Sequence, residues 1–237
     1  MDFTKEDREA FQEWLKGLET RARDPKLHAK WKTYTHKNAH IRQYPGWGHW
    51  NHDRLLLYFK RYSEAGKILK NASMILDFGC GAGYGAEILS KYVNFVIGID
   101  IDEQAIAYAK DFHGANRNRN VAFTVQPIYE EFLQGIAYSG MINIDGIVAI
   151  ESIEHVAEIP RLVKRFHELL AVNGKLIMST PNMRVANIGS FESKLMLDDF
   201  ERLLNQYFTD LQILTSNPPN WQQKEPLSYY FIGTKRK

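Results

Sequence analysis

The chain has a single cysteine, Cys80, among 237 residues. One thiol excludes an internal disulfide and a zinc site built from cysteines. No apolar run approaches the roughly 20 residues needed to span a bilayer. The opening stretch MDFTKEDREAFQEW alternates acids and bases and lacks the apolar region of a secretory signal. Net charge is small, with 30 Lys and Arg against 28 Asp and Glu, so no strong polyanion-binding field is implied. There is no internal repeat and no low-complexity tract, and no histidine follows His167. A cytoplasmic setting is the default that these absences leave. What is present is an ordinary globular balance, 44% hydrophobic and 24% charged. Its length suits one α/β domain with an appendage.

The most informative stretch is ILDFGCGAGYG, Ile75 to Gly85. An apolar strand ends in an acid, and glycines then alternate at Gly79, Gly81, Gly83 and Gly85. Such a turn lets backbone press against a nucleotide-like ligand at the start of a helix. The dinucleotide pattern G-x-G-x-x-G fails, because its third position falls on Tyr84 or Ala86. An anion beside Asp77 is disfavoured by like charge, whereas an ammonium is favoured. The D-x-G-x-G-x-G form resembles the first motif of the class I S-adenosylmethionine (SAM)-dependent methyltransferases. That resemblance covers roughly residues 70–235. It implies SAM as cofactor, with Asp77, Gly79, Cys80 and Gly81 beside it.

The rhythm of the chain agrees with that family's layout. Residues 4–20 carry Phe11, Trp14, Leu15 and Leu18 at helical spacing, and Asp24-Pro25 breaks the pattern. A second amphipathic helix is expected over 53–69. Strands are expected at 74–79, 94–100, 121–126, 143–150, 174–180, 209–215 and 228–235. Helices are expected at 84–92, 103–112, 158–171 and 197–206. The alternation predicts an α/β fold with a doubly wound, Rossmann-like sheet. The last two strands follow without a helix, which predicts an antiparallel end. The expected layout is a seven-stranded, mostly parallel sheet with a helical N-terminal lid. Residues 1–70 would form a helical and aromatic cap, and 71–237 the SAM-binding domain.

A β-branched strand ends at Asp100, 23 residues after Asp77. An acid there can accept hydrogen bonds from both ribose hydroxyls, while Asp102 can cap the following helix. By family resemblance, Ile101 lies against the adenine face. Many relatives carry an acid after the third strand, but here Gln126, Pro127 and Ile128 occupy that place. Gln126 can accept from the adenine amine and the Ile128 backbone can donate, whereas Pro127 has no N–H. The family pattern also places Ile150 beside the cofactor, at the end of the fourth strand.

IDGIVAIESIEHVAEIP, Ile144 to Pro160, is similar to the motif after the fourth strand of small-molecule O-methyltransferases in ubiquinone biosynthesis. LAVNGKLIMSTPN matches an ending found in the same group, through Gly174 and Ser179 to Asn182. Glu151, Glu154 and His155 stand at i, i+3 and i+4, so one helical turn would put them on a shared face. Two chemical readings stay open. His155 can act as general base, with Glu151 or Glu154 orienting it. The trio can instead hold a divalent metal. A structural reading stands beside both, with acids favouring a helix N-terminus. A small-RNA 2′-O-methyltransferase family uses a similar E-x-x-E-H metal motif completed by a later histidine. The absence of histidine after His167 disfavours both metal and RNA here, unless a histidine of the N-terminal region completes the site.

The segment WKTYTHKNAHIRQYPGWGHWNHDR is rich in aromatics and histidine. It can line a flat substrate pocket or stack on a base, or it can simply fill core. Relatives fold this segment over the cofactor, which makes Trp47 and Trp50 candidate contacts. NPPNW, Asn217 to Trp221, lies between the last two strands and reads as a turn rather than as an amine-holding motif. The expected activity is O-methylation of a small-molecule acceptor by in-line transfer. Two alternatives stay open: an RNA or nucleotide methyltransferase, and a non-catalytic SAM-binding regulator. Nothing in the pattern names the acceptor or sets the oligomeric state.

Overall fold

Seven strands form one sheet, the central ones from near-continuous apolar runs with no solvated face. They are β1 (Ile75–Phe78), β2 (Val96–Asp100), β3 (Val121–Val125), β4 (Ile144–Ile150), β5 (Leu170–Pro181), β6 (Phe208–Ser216) and β7 (Ser228–Lys235). The computed structural model describes residues 2–31, 44–45, 51–114, 117–126, 144–185 and 196–236. Strand order is β3-β2-β1-β4-β5-β7-β6. The first five strands are mutually parallel, and β7 runs antiparallel to both β5 and β6. Strand order reverses between β1 and β4. A ligand crevice is expected at that switch point, outside the carboxyl ends of the strands.

Helices α1 (Lys5–Ala22), α2 (Pro25–Trp31), α3 (His52–Ile68), α4 (Tyr84–Leu89) and α5 (Glu103–His113) precede β3 in the chain. Helices α6 (Ile159–Leu169) and α7 (Leu197–Leu204) follow β4. Two buried layers result. One joins α1, α3, α4 and α5 to residues such as Ile75, Val148 and Tyr230. The other joins α6 and α7 to Leu76, Phe78, Ile147 and Phe231 on the opposite face. Helix α3 thus shares a core with the sheet. Buried ion pairs fasten α1 as well: Lys60 reaches Asp7 at 2.7 Å, and Arg21 grips Glu87 through both guanidinium nitrogens at 2.7 and 3.0 Å.

The seven strands lie where the hydrophobic pattern places them, and two helices end earlier than expected. The break at Asp24-Pro25 stands between α1, which ends at Ala22, and α2, which Pro25 opens. The Asp24 carboxylate accepts from the Lys26 and Leu27 amides at 2.8 and 3.3 Å, a capped start in which proline's missing N–H costs nothing. The helix expected over 84–92 stops at Leu89. The helix expected over 158–171 stops at Leu169, and Leu170 already pairs with Ile144. The next pairing joins Gly146 to Lys175, so the chain bulges between. Asn173 has φ +65° there, and a Cβ on Gly174 would meet the Ala171 carbonyl at 2.8 Å. Part of the LAVNGKL signature therefore encodes a bulge.

Candidate active site

The crevice begins with the glycine turn. Gly79, Gly81 and Gly83 all have positive φ, a conformation costly to residues with a Cβ. Close approach adds a second reason at Gly79 and Gly83, and it is the reason at Gly85, whose φ is not positive. A Cβ on Gly79 would sit 2.5 Å from the Ser152 Cβ just past β4, and one on Gly85 would sit 2.1 Å from the Tyr62 ring. These glycines therefore let protein press on protein, a reason that differs from direct ligand approach. The turn is tied to β2: the Cys80 amide donates to the Ile99 carbonyl and the Gly81 amide to Asp100 Oδ2, both at 2.9 Å.

Asp77 has no exposed surface. Its Oδ1 accepts a long hydrogen bond, 3.4 Å, from the Tyr62 hydroxyl of α3, and its Oδ2 has no partner among the described residues. Burial pushes the carboxyl up to about 8; the Tyr62 hydrogen bond opposes this and the Asp100 charge adds to it. Asp100 is also buried, and its Oδ1 accepts from the Asp102 amide at 2.9 Å. Asp102 caps α5 as expected, accepting from the Gln104 and Ala105 amides. Ile101 follows Asp100 and is 58% exposed. Gln126 donates its amide to the Asp100 carbonyl at 3.0 Å, and its side chain lies 3.5 Å from the Thr124 hydroxyl. Cys80 and Ile150 are buried. Ile128, Trp47 and Trp50 lie outside the described residues.

These groups fit an adenosyl cofactor bearing an ammonium. An orphaned buried carboxylate oxygen is an acceptor waiting for a donor. A carboxylate has about four lone-pair sites, so Asp100 can serve two amides and still accept from hydroxyls. An exposed isoleucine beside them offers a flat apolar surface.

The end of β4 forms the other side of the crevice. Glu151 has φ +48°, in the left-handed region where a residue with a side chain is strained. Its amide donates to the Ser179 carbonyl at 3.1 Å, and the Ser179 hydroxyl donates to Glu151 Oε1 at 2.9 Å. Arg61 Nη1 lies 3.1 Å from the same carboxylate oxygen. Arg61 is fully buried and donates to the hydroxyls of Ser216, at 2.9 Å, and Ser228. Glu154 is buried as well, with Oε2 lacking a partner among the described residues. Burial, then the Glu151 charge, holds its carboxyl well above the usual range.

The shared helical face expected for Glu151, Glu154 and His155 does not form. Glu151 leaves helical geometry, and a short 3-10 turn spans Ile153–His155. That turn buries Glu154 and exposes His155. Among the described residues no group of three or more His, Cys, Asp or Glu is arranged to hold a metal ion. No described helix is long and apolar enough to cross a membrane.

Sequence reading missed Arg61 and Tyr62 as site residues. The available signal was a charged residue on the apolar stripe of α3, which requires a buried counter-charge. Asn182 of the S-T-P-N ending has a structural task. Its amide and side chain donate to the Leu227 and Pro226 carbonyls, fastening the β6–β7 connection. NPPNW lies in that connection as expected, with Asn217 Oδ1 accepting from the Leu227 amide. In the N-terminal aromatic segment, Trp31 and Tyr44 pack edge-on against Tyr108 of α5, so these two fill core.

A family model described as "Methyltransferase domain" matches residues 50–214. The chain belongs to this methyltransferase family. Its cofactor is S-adenosylmethionine, in line with the residues at the ends of β1 and β2. Among curated relatives, the "Ubiquinone biosynthesis O-methyltransferase" of Coxiella burnetii is 35% identical over 108 residues, 46% of this chain and 43% of that protein. The match thus spans less than half the length of that relative. Among solved structures, the N-methyltransferase NodS from Bradyrhizobium japonicum WM9 with S-adenosyl-L-homocysteine superposes with a TM-score of 0.64 at 15% identity. It covers 86% of this chain and 99% of NodS. A protein from Pyrococcus horikoshii OT3 gives 0.61 at 19% identity, covering 84% and 99%. At these identities the likeness of the structures concerns the fold. This methyltransferase therefore has the seven-stranded sheet of its neighbours, with the single antiparallel strand β7.

Proposed function

We propose that this methyltransferase methylates an oxygen of a small-molecule acceptor. The observation that supports the reading is the turn after β4, where Glu151 is tethered by Ser179 and Arg61 and His155, four residues on, is exposed. The partial likeness to an O-methyltransferase of ubiquinone biosynthesis supports the same acceptor atom.

Bound at the glycine turn, the cofactor supplies a methyl group on a cationic sulfur. The leaving sulfide is neutral, so the protein's tasks are alignment and removal of one proton. Asp77 Oδ2 would receive the cofactor's ammonium and Asp100 its ribose hydroxyls. Ile101 would offer an apolar surface to the adenine, and the Gln126 side chain could accept from the adenine amine. His155 takes the acceptor's hydroxyl proton as the new bond forms, and Glu151 orients the acceptor side. Arg61 and Ser179 hold Glu151 in place.

The test is transfer of labelled methyl to a panel of phenols, amines and RNA. Methylated oxygen in a small molecule supports the reading. Transfer confined to nitrogen or to RNA overturns it.

A further inference from the structure

Buried polar atoms without partners are rare in folded proteins. Among the described residues seven side-chain atoms are of this kind, and three of them, Asp77 Oδ2, Ser152 Oγ and Glu154 Oε2, belong to the end of β1 and the turn after β4. Of these, Asp77 has its other carboxylate oxygen hydrogen-bonded to Tyr62. Tyr62 comes from α3, with its ring lying over Gly85 and 6.0 Å from the Tyr84 ring. Its hydroxyl reaches Oδ1 and leaves Oδ2 for a ligand.

The titratable groups around Asp77 are Tyr62 on α3, Tyr84 on α4, Cys80 in the turn and Asp100 on β2. None of these carries a positive charge. On the β4 side stand Glu151 and Glu154, and the Arg61 guanidinium there lies 3.1 Å from Glu151 and donates to Ser216 and Ser228. A carboxyl sealed among such neighbours is stable as the neutral acid.

We propose that Tyr62 is a cofactor-positioning residue and that Asp77 gives up one proton when the cofactor's ammonium docks against it. This rests on the reading that the ammonium binds at Asp77. The balance is simple: a carboxylic acid and an ammonium become a carboxylate–ammonium pair, and the proton leaves to solvent. The cofactor brings the positive charge that the buried site lacks. Affinity then rises with pH, by roughly tenfold per pH unit while the free carboxyl is still protonated. Tyr62 moderates this, since its hydroxyl favours the ionised form and holds the carboxylate plane in register with the ligand.

The experiment is calorimetric titration of S-adenosylhomocysteine into the full chain at pH 6.5, in buffers of different ionisation enthalpy. This probe carries the same ammonium, which is still protonated at that pH. Close to one proton released per bound ligand is expected, and at saturating ligand the Asp77→Asn variant releases none. Tyr62→Phe keeps the ring over Gly85. It should weaken binding and move the pH at which affinity levels off upward. Binding with no proton release overturns the proposal and leaves the cofactor reading standing, as does the same release from Asp77→Asn. An unchanged pH profile in Tyr62→Phe removes its positioning role. No binding in any buffer overturns the cofactor reading together with the proposal.

Discussion

The two sides of the crevice are built differently. At the ends of β1 and β2, backbone amides do most of the work: Gly81 and Asp102 satisfy Asp100, and Cys80 ties the turn to Ile99. At the ends of β4 and β5, side chains from distant segments meet instead. Arg61 comes from α3, Ser179 from β5, Ser216 from β6 and Ser228 from β7, and together they hold one strained glutamate. A backbone-built half demands a local pattern, whereas a half assembled from side chains demands only that scattered residues agree. The first suits a cofactor common to a whole family, and the second leaves room for the acceptor to vary.

The largest effect is expected on the β4 side. Arg61→Met leaves the Glu151 carboxylate beside buried Glu154 without its cation, and stability should fall by about 3–5 kcal/mol in urea denaturation. Adding Glu151→Gln should restore more than half of the loss, because the two side chains are coupled. Full additivity of the two changes would dissolve the network as described. On the β1–β2 side, Asp100→Ala removes the acceptor of two amides and the proposed acceptor of the ribose hydroxyls. Calorimetry should show roughly 100-fold weaker S-adenosylhomocysteine binding, in keeping with charge-assisted hydrogen bonds.

His155→Ala separates the halves functionally. Methyl transfer should drop about 100-fold, the usual weight of a general base, while cofactor affinity stays unchanged. A parallel loss of affinity would move His155 to the cofactor half.

The smallest effect concerns Asp77 in the free protein. Its carboxyl is raised to about 8, so the folded state holds a proton that the unfolded chain has released above the ordinary carboxylate range. Stability contributed by that protonated form is lost as pH rises toward the folded value. Asp77→Asn has no such loss and should raise the melting temperature of the cofactor-free protein near pH 8, by about 2–4 °C if the gain is about 1 kcal/mol. An equal or lower melting temperature would mean that the carboxylate is already compensated.

Legibility in the sequence followed the same division. The strands and the D-x-G-x-G-x-G turn could be read directly, because β periodicity and positive φ each leave a residue-level mark. The cap on α5 at Asp102 was legible for the same reason. The ESIEH segment was not, since i, i+3, i+4 spacing assumes an α-helix and the chain instead takes a left-handed step at Glu151 and a 3-10 turn. Arg61 and Tyr62 escaped because their partners come from other elements: Ser216 is 155 residues from Arg61, and Asp77 is 15 from Tyr62. The glycines were recognised for their freedom, but the residues pressing on Gly79 and Gly85 come from the turn after β4 and from α3 and could not be inferred locally.

A crystal structure of the protein with S-adenosylhomocysteine tests the central claim most directly. The account predicts the ammonium within about 3 Å of Asp77 Oδ2, the ribose hydroxyls on Asp100 and the adenine over Ile101. A ligand seated elsewhere, or one whose ammonium lies away from a solvent-filled Asp77, would contradict it.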